Sequence, residues 1–223
     1  MTARAIVAGR SLVGLLLLGV LFVAGCAQRP VLPDAAIDAN TAEQAQLYAA
    51  RLQRLDALDG WHVNGRLGLS HDGEQVALTL NLQRFDAERW RLNLHGPMAG
   101  GSIRLDGDSE QVVMRGADGV DAVAADGRTL LLRETGHDLP AEALGAWLQG
   151  RHWSPAGEPE ALELDDDGRP LRIEQLGWDI RYGLYRDVHA LAIAVPHRIE
   201  ARRDDLGVRV VIAQWRSIDE RAL

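Results

Sequence analysis

The chain has 223 residues, 47% of them hydrophobic, and a net charge of −8 from 32 acidic and 24 basic residues. The basic residues are all arginine and form no cluster, so neither a nucleic-acid-binding surface nor a polybasic membrane clamp is expected. Cys26 is the single cysteine, which excludes an intramolecular disulfide and a thiolate metal cluster.

The first 25 residues have the composition of an export signal. Two arginines precede an apolar run, residues 11–23, which is short for a membrane span and leads into small residues. The Val-Ala-Gly that precedes Cys26 resembles the bacterial lipobox, in which the cysteine sulfur is diacylated and the freed amine is then acylated. We therefore predict that residues 1–25 are removed and that Cys26 carries a lipid anchor.

The segment after Cys26 does not favour the alternative, a buried structural cysteine. Residues 26–39 contain two prolines and several small residues, and they predict a lipidated cysteine on a flexible tether. Ala27 follows the cysteine, where lipoproteins retained in the inner membrane often have Asp, so the resemblance favours the outer membrane. The remaining residues, 40–223, are predicted to form one domain.

The domain is predicted to begin with a helix and a β-hairpin. Thr41 and Gln44 fit a capping box, and apolar residues recur at helical spacing from Leu47 to Leu58, before Asp59-Gly60. The hydrophobic period then changes to two in residues 61–70 and 75–82, on either side of an Asp-Gly turn.

Further alternating segments and Asp-Gly turns predict an antiparallel meander. It is interrupted by a short helix at residues 129–134 and by a second one that Pro140 opens and Gly150 stops. The fold class is therefore mainly β (α+β), with about ten strands in a strongly curved antiparallel sheet, an open and incomplete barrel covered by two or three helices.

One connection differs from the polar turns elsewhere, because it places a large apolar side chain between glycines and a proline. It is formed by Gly96, Pro97, Met98, Ala99 and Gly100. Two interpretations remain open: Met98 folds back onto the mouth of the barrel, or it is an exposed apolar probe. One such side chain in lipid gains on the order of 1.5 to 3 kcal/mol, which biases contact with a bilayer without anchoring the protein.

The sequence offers no catalytic or metal-binding pattern. The seven histidines show neither an HExxH motif nor a pair at ligand spacing, and no serine lies in a GxSxG elbow. The acidic run at residues 165–167 lacks the later Glu of a calcium loop and predicts a turn. We expect no enzyme activity, no cofactor and no metal ligand.

Several motifs, in this order behind a lipobox, resemble the LolB family of outer-membrane lipoproteins. They are Trp61-x-x-x-Gly65-Arg66-Leu67, Gly96-Pro97, Pro140-x-x-x-Leu144-x-x-Trp147-Leu148-x-Gly150, Gln175-x-Gly177-Trp178-x-Ile180-x-Tyr182, Val195-Pro196 and Trp215. The resemblance runs through essentially the whole predicted domain. It implies an incomplete antiparallel barrel capped by helices, with an apolar cavity for acyl chains.

The resemblance also implies a function. A member of this family is an outer-membrane receptor that takes lipoproteins from a LolA-like periplasmic carrier and inserts them into the outer membrane, with its domain facing the periplasm. The partners would be that carrier, the acyl chains of cargo lipoproteins and outer-membrane lipid, and the chain would act as a monomer. A protruding Leu of the family loop falls on Met98, and this sequence departs there, with Met for Leu and Ala99 for Gly.

Candidate cavity residues follow from the alternation of the strands and from the tryptophans. They are Val76, Leu78, Leu80, Leu82, Trp90, Trp147 and Trp178. The sequence does not separate residues that line a cavity from those that pack under the helices. An alternative function also remains open, that of a lipid-anchored structural or assembly protein that binds another envelope protein through the outer face of its sheet.

Overall fold

The structure, a computed structural model, describes residues 40–58, 60–96, 101–115 and 121–218. The predicted signal peptide, Cys26 and its tether lie outside the described residues, and so do Pro97, Met98, Ala99 and Gly100 of the predicted loop. Among the helices that are described, none has both the length and the apolar character needed to cross a membrane.

Three α-helices and eleven strands make up most of the described chain. The helices are α1 (Ala42–Asp56), α2 (Gly127–Thr135) and α3 (Ala141–Leu148). The strands are β1 (Trp61–His71), β2 (Glu74–Arg84), β3 (Trp90–His95), β4 (Ser102–Gly107), β5 (Val112–Arg115), β6 (Asp121–Ala124), β7 (Ala161–Leu164), β8 (Pro170–Gln175), β9 (Trp178–Val188), β10 (Ile193–Arg203) and β11 (Leu206–Ser217).

The strands form one antiparallel sheet in the order β6-β5-β4-β3-β2-β1-β11-β10-β9-β8-β7. Consecutive strands are neighbours except β6 and β7, which form the two edges, and β1 pairs with β11, so the first and last strands meet at the centre of the sheet. The edge strands β6 and β7 are not paired with each other, so the sheet stays open. The predicted fold class, an open antiparallel barrel with two or three helices, is confirmed.

Helix α1 begins at the predicted capping box. The Gln44 backbone N–H donates to Thr41 Oγ1 at 3.1 Å, and the Thr41 backbone N–H donates to Gln44 Oε1 at 2.8 Å, so two N-terminal donors are satisfied. The helix ends at Asp56, before the predicted stop at Asp59-Gly60.

Two hairpin turns lie side by side at one end of the sheet. In the β1–β2 turn, Asp72 and Gly73 have φ of 49° and 80°, the left-handed conformation that a tight two-residue hairpin requires. Asp204, in the β10–β11 turn, has φ of 53°. Because Ser70 on β1 lies opposite Gly207 on β11, the two turns are neighbours.

The sheet has one apolar face and one polar face. On β1, alternate residues from Trp61 to Leu69 are buried, and their partners on β2 include the buried Leu80 and Leu82. The opposite face carries a ladder of polar side chains in which Asn81 Nδ2 donates to Asn64 Oδ1 at 2.7 Å. The apolar face packs against the helices and holds the core.

Candidate functional site

An apolar cavity lies between the buried face of the sheet and the segment that contains α2 and α3. Its volume is about 40 Å³. It is lined by aliphatic side chains, one proline and two tryptophans: Leu67, Leu92, Leu94, Leu131, Leu139, Pro140, Ala141, Leu144, Trp147, Leu148, Trp178, Ile199, Ala201, Val208 and Val210. Among the described residues no titratable side chain lines it, so they can solvate an apolar chain but offer no acid, base or metal ligand there.

Of the described residues in this lining, the two tryptophans alone have polar side-chain atoms. Trp147 Nε1 donates to Gln175 Oε1 at 3.3 Å, which satisfies it. Trp178 Nε1 is buried and has no hydrogen-bond partner among the described residues. The guanidinium of Arg203 lies 4.9 Å from the centroid of the Trp178 ring and covers it. Trp178 Nε1 is therefore a buried N–H donor that no described residue satisfies.

The cavity is small in this conformation. Its 40 Å³ is a few times the roughly 10 to 15 Å³ that a cavity needs to hold one water molecule, which is too small for an extended acyl chain. The lining must therefore separate to admit one. α2, α3 and their connection supply about half of the lining and take no part in the strand pairing.

Ion pairs fix the position of the connection between α2 and α3. Asp138 accepts from Arg128 Nη2 at 2.6 Å, and its carboxylate also lies 2.7 Å from Arg203 Nη2 at the end of β10. The hydrogen bond from Arg128 is the largest cause that lowers the pKa of Asp138, so the carboxylate stays charged at neutral pH. These contacts hold the connection against the sheet.

The predicted cavity residues fall into three groups. Trp147 and Trp178 line the cavity. Leu80, Leu82 and Trp90 are buried in the adjoining core, and Leu78 is partly buried against it. Val76 lies on the same face of β2 but is 43% exposed. The assignment of these residues to acyl-chain binding stays a prediction.

Most of the lining was not singled out from the sequence. Leu131 and Leu144 come from helices, whereas Ile199, Ala201 and Val210 come from β10 and β11. The only available signal was their apolar character at alternating or helical spacing, which core residues share.

A larger pocket of about 510 Å³ lies around Trp61 and its partner Arg84 and borders the same helix, α3. Its lining is mixed and contains several charged side chains. Arg151 pairs with Asp56 at 2.5 Å, and Arg84 Nε donates to the Asp86 carbonyl at 2.8 Å. Because an acyl chain gains free energy only where water is excluded, the smaller dry cavity is the better candidate despite its volume.

Comparisons with known proteins agree with this architecture. The family profile described as "Outer membrane lipoprotein LolB" matches residues 59–215. An outer-membrane lipoprotein LolB from Halorhodospira halophila is 34% identical over 206 residues, covering 92% of this chain and 94% of the relative. Another, from Alkalilimnicola ehrlichii, is 32% identical over 197 residues, covering 88% and 96%. These names do not denote an enzyme family.

Among solved structures, a DUF1329 family protein from Desulfovibrio piger aligns with a TM-score of 0.52 at 7% identity, covering 81% of this chain and 95% of that one. At this identity the likeness concerns the fold alone. The family profile covers more than half of the chain, and the two relatives match it over most of its length at above 30% identity. The chain therefore belongs to the LolB family of outer-membrane lipoproteins.

Proposed function

We propose that this outer-membrane lipoprotein, which acts in lipoprotein localisation, accepts lipoproteins from a LolA-like periplasmic carrier and inserts them into the outer membrane. The acyl chains of the cargo would enter the cavity between the sheet and the α2–α3 segment. The observation that carries this proposal is the lining of that cavity, which is entirely apolar apart from tryptophan N–H groups.

The energetics of acyl chains explain why such a cavity is needed. Burial stabilises each methylene by roughly 0.8 kcal/mol, so release of several chains into water would cost on the order of tens of kcal/mol. Transfer must therefore go from one apolar site to another and then directly to lipid. A downhill series of affinities drives it without a nucleotide, provided that the carrier holds cargo less tightly than this protein and the bilayer holds it more tightly.

The transfer step can be tested with a chain that begins at residue 26 and carries Cys26→Ala, so that it has neither the predicted signal peptide nor the predicted anchor. We expect this chain to acquire a radiolabelled lipoprotein from a loaded carrier in solution. If the folded chain acquires none, the receptor proposal is wrong, and the alternative of an assembly protein is favoured.

Filling the cavity tests where the acyl chains bind. Ala201 lines the cavity and is 4% exposed, so Ala201→Phe should occupy the space that an acyl chain needs. We expect loss of cargo acceptance while the circular dichroism spectrum is kept. The matched control is Ala77→Phe on the exposed part of β2, which should accept cargo normally. Equal cargo acceptance by the two variants would mean that the acyl chains bind outside this cavity.

The predicted loop suggests a separate role in delivery. We propose that Met98, a large apolar side chain between small residues and a proline, contacts the bilayer during insertion. Met98→Glu should then accept cargo but deliver it poorly to liposomes, because a carboxylate resists entry into lipid. Met98→Leu, which restores the family residue, should deliver normally. Normal delivery by Met98→Glu would exclude the role of Met98 as a membrane probe.

The anchor is proposed to supply location alone. A chain that begins at Asn40 retains every residue of the described cavity and should still accept cargo from the carrier. Loss of acceptance in a truncated chain that is folded would show that residues before Asn40 take part in the transfer.

A further inference from the structure

A cluster of potential metal ligands lies at the end of the sheet where two hairpin turns meet. His71 is the last residue of β1, Asp72 begins the β1–β2 turn, and Asp205 lies in the β10–β11 turn. Asp205 lies more than 130 residues from His71 and Asp72 in sequence. The pairing of β1 with β11 brings the three side chains together.

The three side chains are close enough to share one ion. A ring nitrogen of His71 and one carboxylate oxygen each of Asp72 and Asp205 all lie within 4.8 Å of one another. His71 Nε2 lies 3.4 Å from Asp205 Oδ2, and the nearest carboxylate oxygens of Asp72 and Asp205 lie within 4.8 Å of each other. Two carboxylates at this distance repel each other unless a proton or a cation lies between them.

A second imidazole adjoins this cluster. The rings of His71 and His137 meet edge to face, with centroids 5.2 Å apart. His137 Nδ1 is shielded from solvent and has no hydrogen-bond partner among the described residues. Both histidines, together with Asp72 and Glu74, line one pocket of about 270 Å³. The end of the sheet thus combines imidazole nitrogens and carboxylate oxygens around an accessible space.

From this arrangement we infer that His71, Asp72 and Asp205 form a binding site for one zinc ion. Imidazole nitrogen and carboxylate oxygen are ordinary zinc ligands, and three protein ligands with water in the fourth position is a common zinc geometry. Calcium is disfavoured because it requires six to eight oxygen ligands, which this cluster does not supply. The partly exposed side chains can shorten their mutual distances by rotamer changes, since both aspartates lie in turns.

A bound ion would join the two hairpin turns beside the α2–α3 connection. The turns belong to β1–β2 and β10–β11, whose strands β1 and β11 pair at the centre of the sheet. Zinc that binds the folded chain and not the unfolded one should therefore raise the melting temperature. This inference is independent of cargo transfer, because none of the three ligands lines the apolar cavity.

The test is a zinc titration of the chain of residues 26–223 that carries Cys26→Ala, after removal of metal with a chelator. The Cys26→Ala substitution excludes binding by the thiol. Isothermal titration calorimetry with zinc chloride should show one site per chain, and the melting temperature should rise with zinc. His71→Ala and Asp205→Asn should each weaken binding at least tenfold and abolish the thermal shift.

Two neighbouring residues provide matched controls. Asp204 lies in the same turn as Asp205 but outside the cluster, and Asn suits its left-handed conformation, so Asp204→Asn should bind zinc as the parent does. His95→Ala, at the end of β3, removes an exposed histidine that the cluster does not include. The proposed site would be wrong if the parent showed no saturable zinc binding, or if all four variants bound zinc equally.

Discussion

Arg51 is a charged side chain buried on helix α1, where it is 6% exposed. Its guanidinium donates to three backbone carbonyls that end α3 and begin β10: Gln149 at 2.6 Å, Ala194 at 2.6 Å and Gly150 at 3.4 Å. Arg51 shares the buried side of α1 with Tyr48 and Leu55, at helical spacing. Its partners could not be predicted, because they lie about a hundred or more residues away in the chain.

Arg51→Met should destabilise the fold by about 2 to 4 kcal/mol, because it keeps much of the volume but leaves buried carbonyls without a donor. The unfolding free energy in urea measures this. Arg54→Met is the control on the same helix, since Arg54 is exposed and donates to one carbonyl, that of Ala192. Arg54→Met should lower the unfolding free energy by less than about 1 kcal/mol. Similar losses for both variants would contradict the role assigned to Arg51.

His152 is predicted to make stability depend on pH. The Tyr48 hydroxyl accepts from the His152 backbone N–H at 3.2 Å and lies in hydrogen-bond contact, 2.8 Å, with its Nδ1. Burial lowers the pKa of this imidazole below the usual 6.5. The unfolded chain therefore binds a proton at a higher pH than the folded one, so this contribution to stability is present above pH 6.5 and is lost as pH falls.

We expect the unfolding free energy of the parent to fall more steeply between pH 7.5 and pH 5.5 than that of His152→Gln. Burial also lowers the pKa of His62 and His197, so part of the slope should persist in the variant. Urea unfolding at a series of pH values provides the comparison. Parallel slopes would show that His152 titrates alike in the folded and unfolded chain.

At the scale of single elements, β11 approaches β1 so closely that one position of β1 leaves no room for a Cβ atom. The register between β1 and β11 shifts at Asn64 and Gly65, and a Cβ on Gly65 would lie 2.5 Å from the Val211 carbonyl oxygen. Gly68, three residues along the same strand, has its nearest such atom at 3.9 Å. The two glycines therefore differ in whether a methyl group fits.

Gly65→Ala should lower the unfolding free energy by about 1 to 3 kcal/mol, because the backbone of β11 must move away. Gly68→Ala should change it by less than about 1 kcal/mol, in either direction, since the methyl group fits and Ala restricts the unfolded chain. Chemical denaturation of both variants measures these changes in unfolding free energy. A Gly65→Ala chain as stable as Gly68→Ala would refute the close approach.

The elements that the sequence predicted share a local signal. The β1–β2 hairpin follows from an Asp-Gly turn between alternating strands, and α1 follows from its capping box. β6 was not predicted, because its Asp121–Ala124 has one large apolar residue, Val123, and that residue is 54% exposed. Such an edge strand is fixed by pairing with β5, a tertiary contact that hydrophobic periodicity does not record.

At the scale of the whole molecule, the open antiparallel barrel could be predicted but the lining of its cavity could not. Alternation identifies the apolar face of each strand, yet all apolar faces look alike until the curvature of the sheet and the position of α2 and α3 are known. Leu80 on β2 packs in the core, whereas Leu92 on the neighbouring β3 lines the cavity. The difference arises from where the helices lie, and not from the residues themselves.

The small volume of the cavity leads to a prediction about its opening. If acyl chains enter only when the α2–α3 connection leaves the sheet, the contacts that hold this connection must oppose uptake. Asp138→Asn keeps the shape and the backbone carbonyl that accepts from Arg203 Nη2, but removes the charge that faces Arg128 and Arg203. Partly exposed ion pairs contribute about 0.2 to 1 kcal/mol each, so affinity for a fluorescent fatty acid should rise by about two- to tenfold.

The matched control for this variant is Glu200→Gln. It breaks the ion pair with Arg209 at 2.8 Å, which joins β10 and β11 and leaves the α2–α3 connection untouched. Fatty-acid affinity should then remain that of the parent. High salt should raise the affinity of the parent towards that of Asp138→Asn, because screening weakens the same ion pairs, and should change the variant less. An affinity that neither Asp138→Asn nor salt alters would mean that the cavity opens without releasing this connection.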